Sequence, residues 1–223
     1  PLFFSTPTTA YERLSGLVGS EMCIRDRDYT SDITIVGAGL NGLTLSLALE
    51  SSELKVIIVD SNTKRKEKLT KEKFSGRAYA LAKASQNLFN SLNLWKYLDA
   101  NAQPIFDIKV TDGHLETGPS NFFMHFDHKE IGDQPLGYTI EDRHLREVLY
   151  NHVSKSTKVK IISETVTKCV TKNSLSHIYL ENGDLIKSKV TLACDGKNSK
   201  IASKSGISAT RKDHAQHAIV TSV

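Results

Sequence analysis

Short apolar runs separated by longer periodic segments organise this chain. Residues 33–36 (ITIV), Val56–Val59, Val159–Ile162 and 189–194 (KVTLAC) have the length and near-continuous hydrophobicity of strands buried on both faces of a sheet. After the first run the chain turns through glycines and enters an apolar helix at Leu40. Residues 74–98 carry Leu81, Ala84, Leu88 and Leu92 at spacings of three and four, which predicts a helix packed on the sheet. A further helix is predicted over Asp142–Val153. A second kind of pattern interrupts the first. Residues 105–111 alternate, Asp112-Gly113 reads as a turn, and 121–126 reads as a returning strand, so this pair is expected to start a separate sheet. Residues 137–140 form a short strand, and 164–172, 176–181 and 185–188 form three more, the last two joined by a hairpin at Asn182-Gly183.

Buried runs alternating with helices, plus an inserted strand pair, predict an α/β fold. The expectation is a Rossmann-like domain with a parallel sheet, interrupted by strands of a second, β-rich domain. Residues 28–104 and 136–206 would be the two parts of the first domain, and 105–135 the start of the second sheet. Residues 207–223 end on the apolar strand HAIVTSV and would be the truncated continuation of that second domain.

The chemistry begins at the first turn. Gly37, Gly39 and Gly42 form G-x-G-x-x-G between a strand and a helix. The first glycine permits the tight turn, the second lets a pyrophosphate approach the backbone, and the third lets helix and strand pack closely. Free N–H groups and the positive end of the helix dipole then face the phosphates. A ribose-reading acid belongs at the end of the next strand, roughly 20 residues on, and Asp60 follows Val59 there. A glycine-rich turn after a core strand is the plainer alternative, but it does not account for the whole ordered series. Asp195-Gly196 ends the last buried run, at the carboxyl edge where doubly wound sheets bind ligands. Arg77 precedes a predicted helix, where its charge opposes the dipole, so a ligand-facing role suits it better. Arg143 and Arg146 lie in the first turn predicted after Glu141.

Composition narrows the classes. The 223 residues are 39% hydrophobic and 24% charged with a net charge of +4, an ordinary globular balance. The basic stretch at 63–73 (TKRKEKLTKEK) is interrupted by Glu67 and Glu72. It reads as a solvated loop, with cofactor phosphates or an anionic membrane surface as alternative partners. Nothing resembles a nucleic-acid module. Cys23, Cys169 and Cys194 are widely spaced and odd in number, which fits a reducing compartment. His125, Asp127 and His128 do not make a metal site, because strand alternation separates the two histidines, and His214 and His217 lack a third ligand. Glycines and Asn41 interrupt the most apolar stretch, 33–49, before it reaches membrane-spanning length. Residues 1–27 show no structural periodicity, and LSGLVGSEMCIRDR resembles translated sequencing-adapter read-through, so this segment is expected to be non-native. A transit peptide is the rival, but Glu12, Glu21 and Asp26 balance Arg13, Arg25 and Arg27.

Four stretches, DITIVGAGLNGLTLSLAL, GRAYALAKASQNLFNSLNLW, LGYTIEDRHLREVL and LACDGKNSK, together with the closing QHAIVTSV, resemble the class A FAD-dependent monooxygenases. The second and third are closest to the branch of ubiquinone-biosynthesis hydroxylases. The resemblance implies that Gly37, Gly39 and Gly42, with Ala38, Leu40 and Asn41 in the same turn, hold the FAD pyrophosphate. It implies that Asp60 binds the adenosine ribose, that Arg77 lies near the flavin and the nicotinamide path, and that Arg143, within one residue of register, reaches the FAD. Asp195 and Gly196 would touch FAD and assist NAD(P)H. Two departures stand out: Ala202 occupies the position where the Asp-Gly motif usually ends in arginine, and the family's later Gly-Asp motif does not occur. The implied reaction is hydroxylation of a polyprenylated phenol with NAD(P)H and molecular oxygen, and no residue stands out as the catalytic base. The branch also implies a ubiquinone-biosynthesis complex as partner and a cytoplasmic site peripheral to the inner membrane. Other readings are a related flavin monooxygenase or reductase with a different substrate, an NAD-dependent dehydrogenase, and a non-catalytic binding protein on the same fold.

Overall fold

The computed structural model describes residues 27–62, 77–114, 116–210 and 212–215. In chain order the first elements are β1 (Asp28–Val36), α1 (Leu40–Leu49), β2 (Val56–Val59), β3 (Ala78–Ala82) and α2 (Lys83–Ser91). After two 3-10 turns come β4 (Ala102–Ile105), β5 (Asp107–His114), β6 (Gly118–Asp127), β7 (Gly137–Glu141) and α3 (Asp142–Val153). The last are β8 (Val159–Ile162), β9 (Val166–Lys172), β10 (Leu175–Leu180), β11 (Leu185–Ala193) and the short α4 (Lys200–Lys204).

The main sheet has the order β8-β2-β1-β11-β10-β9. Its first four strands are parallel, and β10 and β9 return antiparallel. Register aligns the carboxyl ends: Val36 pairs with Val59 and Ala193, and Val59 pairs with Ile162. Four strand ends therefore share one line. The β2 side chains alternate between two cores, as a period of two requires. Val56 and Ile58 join Leu43 and Leu47 of α1 and Leu145, Leu149 and Val153 of α3. Ile57 and Val59 join Ile162, Ile178, Leu180 and Ile186 on the other face. Each such side chain contributes about 1.5–3 kcal/mol on burial.

Two smaller sheets complete the described fold, β3-β7-β4 and the β5-β6 hairpin. Several elements differ from the sequence reading. The helix expected across 74–98 is a strand followed by a helix. Residues Ala78–Ala82 pair along the whole of β7, and α2 starts only at Lys83. That pairing places Leu81 in a strand, leaves Leu88 45% exposed and turns Phe89 and Gln86 inward. The small residues of AYALA fit the close crossing, since a Cβ on Gly137 would overlap the Leu81 carbonyl oxygen. Asp112-Gly113 does not reverse the chain. It forms an irregularity inside β5, with Asp112 accepting the Gly113 N–H at 2.9 Å, and the reversal follows His114. Residues 185–188 and 189–194 merge into the single strand β11. The segments 1–26 and 63–76 and the terminal 216–223 lie outside the described residues.

Polar ties anchor the turn region and the middle of β1. The Gly37 N–H donates to Val59 O at 2.8 Å and the Cys194 N–H to Val36 O at 2.8 Å. Midway along β1, the Asp32 carboxylate accepts from the Lys189 ammonium (2.7 Å) and from the Lys55 N–H (2.8 Å). Those donors hold its carboxyl below the ordinary Asp range, against a smaller upward push from burial. A depressed folded-state pKa gives stability that is present above the unfolded value, about 3.9, and lost as pH falls through the folded one. Acid unfolding of Asp32→Asn is therefore expected to be less steep below about pH 4 than that of wild type, measured by circular dichroism against pH.

The glycines divide by what surrounds them. Gly37 has φ +109° and Gly42 lies against the Gly37 carbonyl, whereas a Cβ on Gly39 would meet nothing within 4 Å. Gly42→Val is expected to cost at least ~3 kcal/mol and lower Tm by about 6–12 °C, while Gly39→Ala shifts it by no more than about 4 °C. Equal melting shifts for the two variants would refute this division.

Candidate cofactor-binding site

A cavity of about 470 Å³ opens along the aligned carboxyl ends. The β1 end and turn contribute Val36, Gly37, Ala38 and Gly39, and the β2 end contributes Asp60, Ser61 and Asn62. The chain after β8 adds Glu164 and Thr165, and α3 adds Arg146, Glu147, Tyr150 and Asn151. The fourth strand end supplies Cys194, Asp195, Gly196 and Asn198, continued by Lys200 and Ile201.

The glycine turn sits at the centre of this row. Gly39 is the N-cap of α1 with φ −74°, and among the described residues no side chain caps the helix. The first N–H groups of a helix have no partner within it, and they carry the positive end of its dipole. With open space over Gly39, that end can receive an anion. Asp60 shapes the turn directly. Its Oδ2 accepts the Ala38 N–H at 2.7 Å and its Oδ1 accepts the Asn62 N–H at 2.7 Å. The Ala38 amide is thus committed to Asp60, while each carboxylate oxygen keeps a lone pair for a hydroxyl.

Asp195 is held from the opposite side. Its Oδ2 accepts the N–H groups of Lys200 (2.8 Å) and Ile201 (3.3 Å). Burial pushes its carboxyl up, but the Ser199 hydroxyl and these N–H groups outweigh it and the carboxyl lies below its usual range. Asp195 Oδ1 is buried and has no hydrogen-bond partner among the described residues. A buried acceptor without a donor is costly, so a ligand hydroxyl would relieve it. Gly196 beside it has φ +90°, a conformation that favours glycine. Burial pushes the Cys194 thiol up and the Asp195 carboxylate pushes it the same way, so it stays protonated and weakly nucleophilic at neutral pH.

Of the residues singled out by sequence, Gly37, Ala38, Gly39, Asp60, Asp195 and Gly196 meet in this one cavity. Leu40 packs into the core, Asn41 is exposed, and Gly42 lies beneath the turn as a spacer. Arg77 is exposed, and its carbonyl accepts the Asp142 N–H at 3.0 Å. Arg143 pairs with Glu141, and both arginines lie outside the cavity lining. Arg146, one turn beyond Arg143, does line it, with its Nε donating to Asp142 at 2.7 and 2.9 Å. Glu147, Tyr150 and Asn151 were not anticipated either. Their signal is the i, i+4 spacing of Arg146/Tyr150 and Glu147/Asn151, one flank of α3 beside the buried Leu145 and Leu149.

The uncapped helix start, the open space at Gly39 and the unpartnered Asp195 oxygen fit a ligand with an anionic centre and hydroxyl-bearing arms. Comparison with known proteins agrees with this. Residues 30–223 match the family model described as FAD binding domain. The chain is 29% identical over 198 residues to ubiquinone hydroxylase UbiL of Rhodospirillum rubrum, covering 88% of this chain and 44% of that protein. It is 31% identical over 192 residues to ubiquinone hydroxylase UbiM of Neisseria meningitidis, covering 83% and 40%. The chain therefore spans less than half the length of these curated relatives. Among solved structures, p-nitrophenol 4-monooxygenase PnpA from Pseudomonas putida has the same fold, with a TM-score of 0.64 at 19% identity over 81% of this chain and 44% of that one. The chain belongs to the FAD binding domain family.

Proposed function

We propose that this chain carries the FAD-binding part of an NAD(P)H-consuming aromatic hydroxylase of ubiquinone biosynthesis, acting on a polyprenylated phenol. The observation that supports it best is the meeting of the glycine turn, Asp60 and Asp195-Gly196 in one cavity, from three different strand ends. The names of the two ubiquinone hydroxylases support the substrate class. In this reading the pyrophosphate lies against Gly39 and the first turn of α1, and Asp60 takes the ribose hydroxyls. Asp195 Oδ1 accepts a hydroxyl of the flavin side chain, and Gly196 leaves room for it. FAD, once bound and reduced by NAD(P)H, supplies the oxygen-activating chemistry. The protein's part is to hold the cofactor rigidly and keep water from it, with Val36, Leu43, Val59, Val166 and Ile201 forming the apolar wall.

The domain division follows the same reading, with 28–104 and 136–206 holding the cofactor and 105–135 facing the substrate. Ile108, Val110, Phe122, Met124 and Phe126 expose an apolar β5-β6 surface in keeping with a prenylated substrate. Among the described residues no helix is long and apolar enough to cross a membrane. Work at a membrane surface on a lipid-soluble phenol is part of the proposal.

Titrating FAD into the 223-residue chain, with NAD as competitor and circular dichroism to show folding, tests the cofactor. Expected is quenching of flavin fluorescence that NAD does not reverse; a folded chain that prefers NAD, or binds neither, sinks the reading. Gly39→Ala is expected to weaken FAD binding at least tenfold, about 1.4 kcal/mol, despite its small effect on melting. Asp195→Asn is expected to weaken it by about fivefold through loss of a charge-assisted hydrogen bond.

A further inference from the structure

The charge on the cavity wall conflicts with an anionic ligand. Among the described lining residues are four acids, Asp60, Glu147, Glu164 and Asp195, and two bases, Arg146 and Lys200, a formal charge of −2. A pyrophosphate adds further negative charge. The α1 N-terminus offsets about half an elementary charge, which is less than the wall and the ligand together carry. The Arg146 charge is partly offset, because its Nε pairs with the buried Asp142 carboxylate at 2.7 and 2.9 Å. Lys200 differs. Its backbone N–H is pinned to Asp195 Oδ2 at 2.8 Å, which fixes the root of the side chain on the cavity wall. Among the described residues no carboxylate pairs with its ammonium group.

We infer that Lys200 is the cation that makes this cavity accept a pyrophosphate, a positioning and affinity residue for the cofactor's phosphates. It stands beside an ionised Asp195, whose negative charge would otherwise repel the ligand it is placed to bind. The lysine also supplies a positive charge on the Asp-Gly segment, where Ala202 carries none. The inference rests on the dinucleotide reading of the site but concerns one side chain, and its failure is separable from the failure of that reading.

The test uses the full chain and three titrations, with FAD, ADP and adenosine, at two salt concentrations. Lys200→Gln is expected to bind FAD and ADP about fivefold to tenfold more weakly than wild type, with a shallower salt dependence, and adenosine equally well. Lys200→Glu should weaken FAD and ADP further. Lys197→Gln removes the same charge three residues away, from a side chain outside the lining, and should leave all three affinities within about twofold. Wild type that binds neither FAD nor ADP overturns both this inference and the cofactor reading. Wild type that binds FAD, with Lys200→Gln unchanged or no weaker than Lys197→Gln, overturns this inference alone. Equal losses for ADP and adenosine would also overturn it, because the effect would not then pass through the phosphates.

Discussion

Three backbone segments approach one another more closely than any side chain permits, and the candidate cofactor site depends on that approach. A Cβ on Gly37 would overlap the Cys194 carbonyl, and a Cβ on Gly42 would overlap the Gly37 carbonyl. The first contact locks the glycine turn to the end of β11, and the second seats α1 against the turn. Because Cys194 immediately precedes Asp195, the same contact sets the distance between the helix start and the Asp-Gly carboxylate. Steric exclusion at two glycines therefore positions groups that are more than 150 residues apart in the chain, as the Val36–Ala193 register also shows.

Above that packed base, the polar groups work as a set of complementary demands. The α1 N-terminus favours an anion, the buried Asp195 Oδ1 favours a donor, and Asp60 has lone pairs toward both the turn and the cavity. Unsatisfied groups of both signs on one wall suit a ligand that carries both anionic groups and hydroxyls. A carboxylate-rich wall is poor at holding a phosphate unless a cation is set among the acids. Lys200 stands in that position, and its anchoring through Asp195 links the acid and the base in one hydrogen-bonded corner.

The dependence on backbone approach also separates two kinds of glycine within one motif. Gly37 and Gly42 serve packing, and Gly39 alone faces open space. The hairpin β5-β6 is a different matter. Among the described residues its outward apolar side chains take no part in either core cluster.

Much of the fold was legible because burial on both faces leaves a mark in sequence. The runs at Val56–Val59 and Val159–Ile162 and the helix Asp142–Val153 lie where the sequence reading placed them. The glycine spacing, Asp60 and Asp195-Gly196 were legible for a related reason: each is tied to a strand end, and strand ends are marked by the end of an apolar run. What failed was local pattern without that support. AYALA reads as part of a helical stripe until β7 is present to pair with it, and Asp112-Gly113 reads as a turn until β6 continues the ladder past it. The sequence by itself thus determined the strands of the main sheet, the glycine turn and the positions of the two acids, since composition and spacing within short segments encode them. Only the tertiary structure decided that Arg146 and Lys200, rather than Arg77 and Arg143, line the cavity, because which flank of a helix meets a cavity depends on partners distant in the chain.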